Sequence, residues 1–114
     1  MKPVTIKKIK DELHYKSTQE LIELCLKLSK FKKENKELLS YLLFDVEDEV
    51  TYIYNVNEYS TLLFADINTK SFFYIRKSVR KILKLSKKYI RYSKKKKTEV
   101  ELLLHFCKEL KKLS

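Results

Sequence analysis

The sequence predicts an all-α protein of five or six antiparallel helices, arranged as a compact bundle or a short stack of helical hairpins. Three observations carry this. Glycine is absent and the one proline is Pro3, so the Asn-Gly and Asp-Gly turns that close tight β-hairpins cannot be built. Two segments, 17–20 (Ser-Thr-Gln-Glu) and 98–101 (Thr-Glu-Val-Glu), match the capping box that opens a helix. Apolar residues recur at three- and four-residue spacing over nearly the whole chain, the period of a helix with one face turned inward. With 114 residues, 44% of them hydrophobic and 12% aromatic, the chain is long enough for one core and too apolar for disorder. A single helical domain over 1–114 is therefore expected.

The elements follow in order. Residues 4–14 place Ile6, Ile9 and Leu13 in a narrow stripe on a charged short helix. Ser17 caps a second helix that runs to about Phe31. Its Leu21, Ile22, Leu24, Cys25, Leu26 and Leu28 spread over more than one face, which predicts neighbours on more than one side. The polar residues 32–36 read as a turn before Leu38, Leu39, Leu42 and Leu43 resume helical spacing, so helices two and three are expected to form an antiparallel hairpin. Asp45 is expected to cap a fourth helix, with Glu47, Asp48 and Glu49 in the first turn, where unpaired amides and the helix dipole favour carboxylates.

Residues 50–54 and 71–75 are β-branched and aromatic enough to be strands. A helix through about Phe64 is preferred, because Val46, Val50, Ile53, Asn57, Thr61 and Phe64 form a helical stripe and no glycine marks a turn between the two segments. Residues 67–69 connect to the longest helical pattern, 70–93, whose inner side is expected to be Phe72, Ile75, Val79, Ile82, Leu83, Tyr89 and Ile90. Lys94–Lys97 is expected to be a charged linker. Thr98 then opens the last helix, with Val100, Leu103, Leu104, Cys107 and Leu110 inward and Leu102 and Phe106 widening that face. No later segment repeats the hairpin pattern of 20–44, and the glycine, alanine and proline positions of helical repeat families are missing from it.

Charge is distributed unevenly. The formal net charge is +11, yet residues 38–69 contain six acidic side chains (Asp45, Glu47, Asp48, Glu49, Glu58 and Asp66) and no lysine or arginine. Residues 70–98 hold thirteen basic side chains and no acidic one. On the long helix Lys77, Arg80, Lys81, Lys84, Lys87, Lys88 and Arg91 recur at spacings of three and four, opposite the apolar stripe, and should form one positive ridge. Such a ridge suits the phosphates of a polyanion, with Tyr92 available for base stacking. The same ridge also arises whenever a lysine-rich protein builds an amphipathic helix, since the outer face must be charged. Arginine occurs three times against twenty-three lysines, so bidentate guanine reading is not expected and any nucleic-acid binding should be sequence-nonspecific.

Catalytic and cofactor chemistry finds little support. Without glycine there is no phosphate-cradling loop, and no serine sits in a glycine-flanked elbow. His105 and Cys107, two positions apart on a helix, point about 200° apart and cannot share a metal. The acidic run at 45–49 lacks the loop length and glycine of a calcium loop. No metal, cofactor or small-molecule substrate is expected. Cys25 and Cys107 read as buried, reduced thiols and His14 as an exposed helix end. The first residues carry charges every few positions with no leader-like apolar run, and no stretch approaches the roughly twenty apolar residues of a membrane span. A cytoplasmic protein is expected. The leading functional expectation is a non-catalytic interaction or scaffold domain that docks a protein partner or itself, with Tyr41, Tyr52, Tyr54 and Tyr59 beside the acidic block as a contact surface. The alternative is polyanion or nucleic-acid binding through 70–97.

Overall fold

In the computed structural model, residues 1–113 are described. They form six α-helices and no strand: α1 (Ile6–Leu13), α2 (Thr18–Phe31), α3 (Lys33–Ser40), α4 (Glu49–Ala65), α5 (Phe72–Ser93) and α6 (Lys96–Lys111), with one π-helical turn, Tyr41–Asp45, after α3. The all-α class is as the sequence predicts, and the ambiguous segments 50–54 and 71–75 lie in or at the start of helices. The chain groups into two units, Met1–Leu39 and Ser40–Ser114.

The first unit is a run of locally encoded helices. Thr5 caps α1 by accepting from the Lys8 amide at 3.2 Å. Ser17 makes the full capping box: its hydroxyl accepts from the Glu20 amide at 3.1 Å, and the Glu20 carboxylate accepts from the Ser17 amide at 2.9 Å. The turn expected over 32–36 shrinks to Lys32 alone, extended at φ −149°, ψ 141°. Asn35 bridges the break by donating to the Leu28 carbonyl at 2.8 Å. One extended residue is too short to reverse the chain, since helical hairpins need two to about five, and α2 and α3 are not a packed pair. None of α1, α2 or α3 buries a residue. The expectation that α2 contacts neighbours on several sides is overturned: Leu21, Ile22, Leu24, Leu26, Leu28 and Phe31 are all exposed, as is Cys25.

The second unit is a three-helix bundle, with α4 on α6, α5 on α6 and α4 on α5. The π turn, closed by the Val46 amide donating to the Tyr41 carbonyl at 2.9 Å, carries the chain helically past Asp45 and turns Tyr41 inward to 2% exposure. Asp45 is therefore not extended and cannot cap. Asp48 caps α4 instead, accepting from the Thr51 amide at 3.2 Å and the Thr51 hydroxyl at 2.6 Å, and these bonds hold its carboxyl below the usual range. Between α4 and α5, Asn68 accepts from the Lys70 amide at 3.0 Å and Ser71 from the Phe73 amide at 3.2 Å. Helix α5 ends on Lys94, the one residue with positive φ (58°) among those described, and α6 begins two residues later. That tight junction makes α5 and α6 antiparallel neighbours.

The core has two layers. Tyr41, Tyr52, Ile53, Val56 and Leu102 form one, with Tyr41 and Tyr52 edge-on at 4.6 Å; Phe64, Ile82 and Phe106 form the other, with the two phenylalanine rings 5.5 Å apart. Helix α6 faces inward differently from the expectation. Thr98, Leu102, Phe106 and Glu109 are buried, while Val100, Leu104, Cys107 and Leu110 face out. On α5 the inward stripe is as expected through Ile82, with Val79, Leu83, Tyr89 and Ile90 half-buried against the core, but Phe72 is exposed.

Candidate functional site

The basic face belongs to α5. At 3.6 residues per turn, Lys77, Arg80, Lys81, Lys84, Lys87, Lys88 and Arg91 fall within an arc of about 120°, on the side away from Ile82 and Ser86, which are buried. Six of the seven are exposed. Lys88 is half-buried, with its ammonium 5.2 Å from the centroid of the Tyr89 ring. Among the described residues no carboxylate reaches ion-pair distance of Lys77, Arg80, Lys81, Lys84, Lys87 or Arg91. Helix α4 packs on α5 and carries Glu58, yet it leaves these six charges unneutralised.

Tyr92 does not serve this face. It is half-buried against the first core layer and meets Tyr89 edge-on at 5.9 Å. The aromatics open to solvent stand at the other end of α5: Phe72, Phe73 and Tyr74 are all exposed, Phe73 and Tyr74 are in edge contact at 5.6 Å, and Arg76 lies 5.9 Å over the Phe72 ring. Phe72 is thus outside rather than on the inner side that its spacing predicts, and Phe73 stands beside it in solvent. The signal was available, because Phe73 lies four residues before Lys77 and so continues the line of the ridge by one turn.

The acidic run does not form one surface. Glu49 is drawn inward, where its carboxylate accepts from the Tyr41 hydroxyl at 2.8 Å and from the Ser93 and Thr98 hydroxyls, with the Lys95 ammonium 3.7 Å away. Burial pushes its carboxyl up, but the three hydroxyls and Lys95 outweigh this and hold it below the usual carboxylate range. Thr98 is thus not a cap; at 0% exposure it ties α6 to α4 through Glu49. Lys95 also donates to the Val46 carbonyl at 3.3 Å. Of the four tyrosines beside this run, Tyr41 and Tyr52 are core residues, and the Tyr52 hydroxyl donates to the Tyr89 carbonyl at 2.8 Å. Tyr54 and Tyr59 remain outside.

A second polar tie joins α4 to α6. Thr61 donates to Glu109 at 3.2 Å, which leaves its oxygen to accept from His105 Nε2 at 2.8 Å. Lys112 donates to the same carboxylate oxygen of Glu109 at 3.3 Å. His105 Nε2 and that oxygen lie 3.7 Å apart, both turned to the one threonine hydroxyl, so the arrangement fastens α4 to α6. His14 sits exposed at the end of α1, as expected. Both cysteines are exposed rather than buried. No group of three or more His, Cys, Asp or Glu side chains is placed to hold a metal ion among the described residues, and no described helix is long and apolar enough to cross a membrane. Compared with family models, curated proteins and solved structures, the chain shows no significant match.

Proposed function

We propose that this chain is a non-catalytic interaction protein whose N-terminal helices dock onto a protein partner or a second copy of the chain. One observation carries the reading: no residue of α1, α2 or α3 is buried, although Leu21, Leu24, Leu28 and Phe31 line one face of α2 and Ile6, Ile9 and Leu13 one face of α1. Helices of 8 and 14 residues are marginal in water without tertiary contacts, and apolar side chains at this spacing are how an amphipathic helix enters a groove or pairs with another helix. The two exposed thiols suit a reducing compartment, so the proposed site of action is the cytoplasm.

Hydrogen exchange on the monomer tests this. Amides of 18–31 should exchange far faster than those of α6 and become protected when a partner is bound. Protection of 18–31 equal to that of α6 in a monomer shown by light scattering would end the reading.

A second reading, sequence-nonspecific polyanion binding through 70–97, is favoured by the six unneutralised cations of α5. Retention on heparin that is lost with salt, and lost in the Arg80→Gln/Lys84→Gln/Lys87→Gln/Arg91→Gln variant, is its expected result.

A further inference from the structure

We infer that the outer face of α5 is a track for single-stranded nucleic acid, with Phe73 and Tyr74 as the stacking platform at its start. The inference rests on the polyanion reading and adds the kind of strand and the residues that select it.

Phe73, Lys77, Arg80, Lys84, Lys87 and Arg91 follow one another at intervals of four, three, four, three and four residues, so they lie on a single line along the helix. From Lys77 to Arg91 that line is about 21 Å long at 1.5 Å per residue. One strand of a nucleic acid places about six phosphates in such a distance, at about 3.4 Å of axial rise each. The five cations on the line have no carboxylate partner among the described residues, so no ion pair has to be broken for them to meet phosphates.

The aromatic end of the line decides between a single strand and a duplex. Phe73 is 66% exposed and Tyr74 50%, with their rings in edge contact. Two aromatic rings at the head of a cationic line keep half or more of their surface in water and belong to neither core layer. A base with an open π-face can stack on them, as in proteins that hold single strands, whereas the bases of a duplex are already stacked and would offer only phosphates. Arginine scarcity points the same way: stacking needs no bidentate base reading. A membrane surface fits less well, because an interfacial helix buries its apolar face in lipid and the apolar face of α5 is occupied by the core around Ile82 and Ser86.

The test is fluorescence anisotropy of the full chain with labelled oligo-dT of about twelve nucleotides, a duplex of the same length, and anionic phospholipid vesicles in parallel. The single strand should bind at least about tenfold more tightly than the duplex. Phe73→Ala/Tyr74→Ala should weaken oligo-dT about tenfold or more with the salt dependence unchanged; Phe73→Leu/Tyr74→Leu, which keeps apolar bulk, should weaken it as much and guards against a folding defect, checked by circular dichroism. The quadruple glutamine variant should instead flatten the slope of log K against log salt by about 3, at about 0.7 for each phosphate no longer neutralised. Equal binding of duplex and single strand, with the aromatic variants unaffected, would overturn the single-strand track while leaving the polyanion reading in place. Binding of neither nucleic acid in low salt would overturn both, and binding to vesicles alone would overturn the track and name lipid as the polyanion.

Discussion

Residues 1–39 and residues 40–113 are built from the same materials and end in opposite conditions. Both have capped helices with apolar residues at helical spacing, and both have a serine or aspartate accepting from an amide three residues on. The first buries nothing, while the second buries Tyr41, Tyr52, Ile53, Val56, Phe64, Ile82, Leu102 and Phe106. One difference is the connection between successive helices. A single extended residue at Lys32 leaves α2 and α3 unpaired, whereas a two-residue junction after Ser93 folds α6 back on α5 and lets both pack on α4. Caps and propensity make helices; a reversal of the chain makes a core. In the second unit the reversal is fastened by Glu49, which collects hydroxyls from the π turn, from the last residue of α5 and from the first turn of α6.

The largest test of the contrast is truncation of one leucine in each unit. Leu102→Ala, at 2% exposure, should cost about 2–5 kcal/mol in chemical denaturation. Leu28→Ala should change the same transition by no more than about 0.5 kcal/mol, as an exposed substitution does. A comparable loss at both positions would show that the first unit is stabilised within the chain, against the docking reading.

Glu49→Gln comes next. It leaves three hydroxyl donors facing a group that accepts less and donates itself, and should cost about 1.5–3 kcal/mol at neutral pH. The carboxyl of Glu49 lies below its ordinary value of 4.5 in the folded protein, so its contribution is present above that value and lost as the pH falls through the folded-state pKa. The stability difference between wild type and Glu49→Gln should therefore be constant near neutrality and close in acid. A gap that persists in strong acid would mean the variant acts by misplacing α6 rather than by removing the charge.

Capping gives a smaller, matched pair. Asp48→Ala should lower the global unfolding midpoint, by less than Glu49→Gln does. Ser17→Ala removes an equally complete cap but should leave the global midpoint where it is, and lower only the helical signal of the first unit. The smallest effect is a gain. Lys94 holds a left-handed conformation that costs a side-chain-bearing residue about 1–2 kcal/mol; glycine escapes this but loses about 0.5–1 kcal/mol of chain entropy. Lys94→Gly should thus stabilise the second unit by about 0.5 kcal/mol in a thermal melt, and a loss instead would indicate that the Lys94 side chain makes a contact worth more than the strain.

What the sequence determined by itself is everything that depends on neighbours three or four positions away. The helices exist where the apolar period runs, Ser17 caps α2 as its spacing to Glu20 requires, and the cationic line of α5 lies opposite Ile82 because both follow from the helical period of about 3.6 residues per turn. The tertiary structure decided which of several locally equal options was used. Asp45 and Asp48 are equally good caps until the π turn carries the chain helically past the first. Thr98 matches a capping box until Glu49, forty-nine residues earlier, offers its hydroxyl a buried carboxylate. Helix α6 has apolar residues on most of its circumference, so its inward face was set by where α4 and α5 stand, turning Leu102 and Phe106 in and Cys107 and Leu104 out. Burial is a property of what a face meets, and an amphipathic stripe such as that of α2 states only that it would be covered if something were there to cover it.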